Sequence, residues 1–386
     1  MLAVLTVLSA STSSRPFGLS TELRVAVSRL SCYTQVMPLL NGFKPFSLLL
    51  TGAPGWLCDT VLSQLGETLP ALTRVRCLVQ TGTPEEAVKA WRRAHPSVTE
   101  IVGGDLREAA SLEKACENLR GGVIVHAAAI FHADKLSDFD AVNRDGTKTL
   151  ATLAKKAGVK RFVFISSLAA QGAARSKLEL LTEDEPCRPL NRYGASKLEA
   201  ERATMKLHEP GVFDVVIVRP GSFYGLPVPP HHVALFKDLQ HGRARLVGGG
   251  NFARSWTHID ELAAGVITCL HHPAAAGQTL NLCDARVRTQ LELFEAAAHA
   301  LGVAPSFRSV PAFAATWARF YSRLGERFDK YYKKCHLLSD QNCHTGASSA
   351  KAQKLIGYDA RSDAVEGLQR EVEWCRERGI VDGAER

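Results

Sequence analysis

Short apolar runs alternate with longer amphipathic stretches along most of this chain. Ser47–Leu50, Val75–Val79, Gly122–His126, Phe162–Ser166 and Val215–Val218 are apolar at successive positions, which predicts strands buried on both faces. Each run is followed by a helical segment or by a loop leading to one. Strand and helix alternating in this way predict an α/β fold, a doubly wound parallel sheet with helices on each side. The regularity fails after Pro220, where residues 221–250 are rich in Gly, Pro and His before short helical and strand-like pieces resume. The expected division is a main unit over 44–220 and a smaller lobe over 221–386, interleaved with the end of the sheet. Residues 363–378 predict a closing amphipathic helix, with Ala364, Leu368, Val372 and Cys375 at helical spacing.

With 386 residues, 46% of them hydrophobic, the chain can bury one large core or two unequal ones. The formal net charge is +8, but the basic residues are scattered and no aromatic-interleaved basic tract precedes the last third of the chain. Nucleic acid is therefore not the expected partner, and a small molecule is. The ten cysteines contain no CxxC pair, so neither a disulfide framework nor a zinc finger is indicated. Cys335-His336 with Cys343-His344 matches no usual zinc spacing, and no metal is expected. Reduced thiols point to an intracellular compartment, the cytoplasm in the first instance. No apolar run is long enough to span a bilayer; the longest candidates are short stretches such as Leu2–Leu8 and Phe46–Leu50.

Residues 1–43 are Ser-rich and carry Arg15, Arg24 and Arg29 against one acid, Glu22. That composition resembles a mitochondrial or other organelle transit peptide; the alternative is a start at Met37, shortly before the first strand. A second unusual segment, Phe313–Lys334, mixes Phe313, Trp317, Phe320, Tyr321, Leu324, Phe328, Tyr331 and Tyr332 with six Arg and Lys residues. Two readings stand. The aromatics pack a lobe over the substrate site while the charges face water, or the segment is an interfacial helix making peripheral membrane contact.

The first strand runs into Thr51-Gly52-Ala53-Pro54-Gly55-Trp56-Leu57-Cys58, a glycine turn that opens a helix. A side chain at Gly52 or Gly55 would obstruct both the tight turn and the approach of backbone to a pyrophosphate, whose charge suits a helix N-terminus. Dinucleotide binding is the expectation in this strand, turn and helix context. Gln80 ends the second strand where an acid would bind the ribose 2′-hydroxyl of NAD, which favours NADP; Gln80 is also able to bind that hydroxyl itself, so NAD(P) is left open.

Tyr193-Gly194-Ala195-Ser196-Lys197 places a phenol and an ammonium one helical turn apart on one face. A tyrosine ionises near pH ~10 in water, so a nearby cation is needed to stabilise the phenolate before it exchanges protons at neutral pH. Upstream, the strand ending in Ser166-Ser167 delivers hydroxyls to the carboxyl edge of the sheet, where sites in open α/β sheets form. Ser167 is the better candidate for polarising a reacting oxygen; its alternative role is a helix cap or turn former.

Taken in order, the glycine loop, Asp105-Leu106, His126-Ala127-Ala128-Ala129, Asn143-Arg144-Asp145-Gly146-Thr147, Ser166-Ser167, the Tyr193/Lys197 pair and Arg219-Pro220-Gly221-Ser222-Phe223-Tyr224-Gly225 resemble the successive motifs of the extended short-chain dehydrogenase/reductases, over roughly residues 46–378. Two departures are Cys58 in place of the last loop glycine and His126 where members more often have Asn. The resemblance implies a Rossmann fold, an NAD(P) cofactor and hydride transfer between nicotinamide and a substrate carbon. It implies Ser167, Tyr193 and Lys197 as the catalytic set. It also implies cofactor contacts from Gly52, Gly55, Trp56, Leu57, Gln80, Asp105, Leu106, Ala127, Ala128, Asn143, Tyr193, Lys197 and Pro220. A homodimer is the expected assembly.

Within this family the chain looks most similar to the dihydroflavonol reductase and 3β-hydroxysteroid dehydrogenase branches, which act on carbonyls or secondary alcohols of hydrophobic molecules. Sugar-nucleotide epimerases and dehydratases are the competing reading. They usually carry an Asn after the Arg-Pro segment, whereas this chain has Gly221 and Ser222, expected with Ser167 to face the substrate. Against that, Arg254 resembles the arginine that those epimerases place on the substrate diphosphate; its alternative is an ion pair. A non-catalytic dinucleotide-binding protein is the third possibility, against which the joint presence of Ser167, Tyr193 and Lys197 argues.

Overall fold

The computed structural model describes residues 46–68 and 72–382. The expectations about residues 1–43 lie outside them. Six parallel strands, β1 (Phe46–Ala53), β2 (Leu72–Gln80), β3 (Glu100–Gly104), β4 (Val123–His126), β5 (Arg161–Ile165) and β6 (Asp214–Pro220), are joined at one edge by β7 (Thr279–Leu282). Their spatial order is β7-β6-β5-β4-β1-β2-β3, reversing direction of travel beside β1. The helices over this half are α1 (Trp56–Thr68), α2 (Glu85–Ala94), α3 (Ala109–Cys116), α4 (Thr147–Lys156) and α5 (Arg192–Met205). Further along lie α6 (Pro230–Gln240), α7 (Ile259–His271), α8 (Gln290–Leu301), α9 (Ala312–Glu326), α10 (Lys333–Asp340), α11 (Ala350–Ile356) and α12 (Ala364–Glu377).

The apolar strands explain the two-layer cover. Successive side chains point to opposite faces, so Leu48 and Leu50 join α1 and α7 in one core, while Leu49 joins α3 and α4 in the other. Val163 and Ile165 divide from Phe162 and Phe164 in the same way. A third core, around Phe236, Leu293, Leu368 and Val372, ties α6, α8 and α12 together beyond the sheet. The closing helix runs over Ala364–Glu377, capped by the Asp363 carboxylate, and buries the four residues whose spacing predicted it.

Two sheet strands escape the sequence pattern. β3 reads Glu-Ile-Val-Gly-Gly and β7 reads Thr-Leu-Asn-Leu, each too short or too mixed to stand out. The aromatic segment is a correction. Phe313, Trp317, Phe320, Tyr321, Leu324 and Phe328 are exposed, and the inward face of α9 is made of Ala315, Ala318 and Gly325, so these aromatics do not pack a lobe over the crevice. Only Tyr331 and Tyr332 turn inward, half-buried. No helix among the described residues is long and apolar enough to cross a membrane.

Candidate active site

The carboxyl ends of β1, β4, β5 and β6 converge on one crevice. At the end of β1, Gly52 has φ +97°, and a Cβ there would lie 2.9 Å from the Ala128 amide nitrogen. A Cβ at Gly55 would meet the Gly52 carbonyl oxygen at 2.4 Å. The loop is thus a bare-backbone cradle at the N-terminus of α1, where Trp56 and Leu57 begin the helix, and its character suits a pyrophosphate. Cys58 is accommodated in place of glycine: its buried thiol donates to the Thr51 carbonyl at 3.4 Å.

A hydroxyl and imidazole chain locks the floor of this cradle. The Thr51 hydroxyl is 2.7 Å from His126 Nδ1 and accepts from the Ala128 amide, while His126 Nε2 is 2.8 Å from the Thr147 hydroxyl. Burial, with the Lys197 cation nearby, pushes His126 down to about 3, so the imidazole is neutral. Ala127 and Ala128 therefore stand half-buried at the mouth of β4 on a fixed backbone.

Gln80 is exposed at the tip of β2, and among the described residues its strand end carries no acid. Asp105 follows β3, its carboxylate gripped by the Arg107 guanidinium, which holds it below the usual carboxylate range. Leu106 is buried against Gly146. Asn143 lies in a π-helical turn, Asp140–Gly146; its side chain accepts from the Ile130 amide and donates to the Ile130 carbonyl and the Ser196 hydroxyl. One residue thereby joins the loop after β4 to α5.

α5 carries Tyr193 and Lys197, and it starts where the Asn191 side chain caps the Gly194 amide at 2.9 Å. Gly194 decides how close the helix comes to the turn holding Ser167, because a Cβ there would sit 2.3 Å from the Ala169 carbonyl oxygen. Ser167 accepts from the Ala169 amide at 3.1 Å and its hydroxyl also lies close enough to the Tyr193 phenol to lower its pKa, so capping and siting are not alternatives. Burial raises the Tyr193 phenol above its ordinary value, the Ser167 hydroxyl pulls it back and Asp340 raises it again. The Lys197 ammonium is buried, donates to the Ile165 carbonyl at 2.7 Å and sits 4.4 Å from the Phe164 ring centre. Burial pushes it down to about 7, against the opposing influence of Glu201.

Beyond Pro220, the Gly221 amide donates to the Thr257 hydroxyl, and a Cβ on Gly221 would lie 2.3 Å from the Ser255 carbonyl oxygen. Ser222 stands half-buried in a short strand beside Trp256. Arg254 makes the ion pair: its guanidinium donates to the Asp340 carboxylate at 2.8 Å and to the Asp340 carbonyl at 2.9 Å. Phe131 and Phe139 flank the Tyr193 ring at 5.5 and 6.2 Å, and Tyr331 packs on Phe139 at 5.3 Å.

Several residues around this site were not singled out from the sequence. Glu201 lies one turn beyond Lys197 on the same helix and binds Arg219 through both oxygens, at 2.9 and 2.6 Å, while also accepting from Ser166. Its four-residue spacing from Lys197 was the available signal. Asp340 carried none, being 86 positions from Arg254.

The fold and the glycine cradle define a nucleotide-binding α/β protein whose crevice gathers a serine, a tyrosine and a lysine. A sequence model of the NAD dependent epimerase/dehydratase family matches residues 48–283, and the chain belongs to this family. It is 33% identical over 346 residues to the uncharacterized protein y4nL of Sinorhizobium fredii, covering 86% of this chain and 96% of that one. To the ceramide reductase of Caulobacter vibrioides it is 26% identical over 324 residues, 79% of this chain and 90% of that one. Among solved structures, DesIV of Streptomyces venezuelae, a dTDP-glucose 4,6-dehydratase with NAD and TYD bound, is 28% identical with a TM-score of 0.69, covering 88% of this chain and 100% of that one.

Proposed function

We propose that this chain is an NAD(P)-dependent oxidoreductase acting on a carbonyl or secondary alcohol of a small, uncharged, hydrophobic substrate. The observation that carries the chemistry is the close packing of the Tyr193 turn of α5 on the Ser167 turn through Gly194, with a buried ammonium one turn away. When bound, an NAD(P) dinucleotide would supply or accept the hydride. Tyr193 gives or takes the proton at the reacting oxygen, Ser167 holds that oxygen, and Lys197 favours the phenolate. Residues 44–220 hold the cofactor, through Gly52, Gly55, Ala127, Ala128 and the α1 N-terminus; residues 221–386 shape the substrate side.

Arg254 carries the choice of substrate class. Its charge is already met by the half-buried Asp340 carboxylate, so a diphosphate would have to displace an anion that sits in its own place. Gly221 leaves no room for the side chain that nucleotide-sugar enzymes usually place there. Phe131, packed against the Tyr193 ring and itself exposed, favours an apolar ligand. Likeness to a ceramide reductase supports this reading; likeness to a dTDP-glucose dehydratase supports the competing one. Absence of an acid at Gln80 favours NADP over NAD.

The test is turnover of NADH and NADPH with steroids, flavonoids, long-chain ketones and aldehydes against dTDP- and UDP-sugars, for wild type and Tyr193→Phe. Reduction confined to the apolar carbonyls and lost in Tyr193→Phe is the expected result. Conversion of a nucleotide sugar, or its stabilisation of the fold in an Arg254-dependent way, would overturn the substrate class. Cofactor binding with both proteins equally inert would overturn the enzyme reading.

A further inference from the structure

We propose that the outward face of α9 docks this protein on an anionic lipid bilayer. The helix is amphipathic in the wrong sense for a globular surface. Its inward residues are the small ones, Ala315, Ala318 and Gly325, whereas Phe313, Trp317, Phe320 and Phe328 stand 60–67% exposed, with Tyr321 and Leu324 between them. At 3.6 residues per turn the five positions within the helix, Phe313, Trp317, Phe320, Tyr321 and Leu324, fall within an arc of about 100°, and Phe328 follows in the turn after it. A contiguous aromatic patch of this kind marks an interaction site.

Charge selects the occupant. Arg323 and Arg327 run along one edge of the arc, and Lys330, Lys333 and Lys334 follow its end, all exposed. None of the five enters an ion pair among the described residues, and the whole chain carries a formal charge of +8. Trp and Tyr rings settle at the level of lipid headgroups, and Arg and Lys beside them pair with acidic lipid phosphates. A second copy applying the same face would set these cations against each other, because a two-fold contact is self-complementary. Docking itself does not depend on the chemistry at Tyr193. The consequence for substrate does rest on that reading: the segment after α9 reaches the site through Tyr331, which packs on Phe139, itself against Tyr193, so docking through α9 would bring a bilayer-borne substrate to the side of the molecule that this segment covers.

The full-length protein is tested by co-sedimentation with phosphatidylcholine vesicles, with and without phosphatidylglycerol, at low and physiological salt. Binding is expected only with the anionic lipid, and weaker at higher salt. Trp317→Ser/Phe320→Ser and, separately, Arg323→Glu/Arg327→Glu are each expected to reduce partitioning by roughly tenfold or more, with melting temperature unchanged. Absence of co-sedimentation, or partitioning indifferent to both variants, overturns the proposal. So does a loss of self-association in vesicle-free buffer when Trp317 and Phe320 are replaced, which assigns the face to a second copy. Tyr193→Phe must leave partitioning intact, so failure of the chemistry and failure of the docking are read separately.

Discussion

Replacing Glu201 by Gln removes the negative half of an ion pair buried beneath the site. The Glu201 and Arg219 side chains are 4% and 5% exposed, and Ser166 on the end of β5 donates to the same carboxylate. Neutralising one member leaves the Arg219 guanidinium buried without its partner, which costs about 3–5 kcal/mol. At roughly 2–4 °C per kcal/mol for a domain somewhat smaller than this, the melting temperature falls by on the order of 10 °C. Glu199 on the same helix is the internal control, because it pairs with Arg192 and Arg144 at about a third exposure. Glu199→Gln is expected to cost less than about 1 kcal/mol, since solvent screens such pairs. The assay is thermal and urea unfolding of the cofactor-free protein and both variants. Glu201→Leu/Arg219→Met should recover most of the loss, because it removes both charges together. A Glu201→Gln midpoint no lower than that of Glu199→Gln would refute the reasoning. The same change withdraws the influence that raises Lys197, so its ammonium should lose its proton below about 7.

Gly194→Ala forces a Cβ to 2.3 Å from the Ala169 carbonyl, and relieving the clash moves Tyr193 away from Ser167. The cost is roughly 1–3 kcal/mol of stability with turnover down about 10²-fold, whereas Gly103→Ala, with nothing within 4 Å, leaves both unchanged. His126 is neutral in the folded protein until about 3 but protonates near 6.5 when unfolded, so the unfolded state binds the extra proton between those values. Stability contributed by this group is whole above 6.5 and is lost as pH falls through that window, by up to about 1.4 kcal/mol per pH unit. Urea midpoints across pH should show a shallower acid decline for His126→Asn than for wild type; parallel slopes would contradict the buried neutral imidazole.

What the residues alone determined is local. The strands β1, β2, β4, β5 and β6, the glycine turn after β1 and the Tyr193/Lys197 spacing follow from periodicity and from backbone geometry a few residues long. The same holds for the span of the closing helix. Tertiary structure decided everything that depends on which surfaces meet. It set Asp340 on Arg254 across 86 positions, ran Thr51, His126 and Thr147 into one hydrogen-bonded line, and turned the aromatic side of α9 outward. The physical reason is that an apolar stripe states that a face must leave water without stating where it goes. Likewise a charged side chain declares a need for a partner, and only the packed chain says which carboxylate, cofactor or surface supplies it.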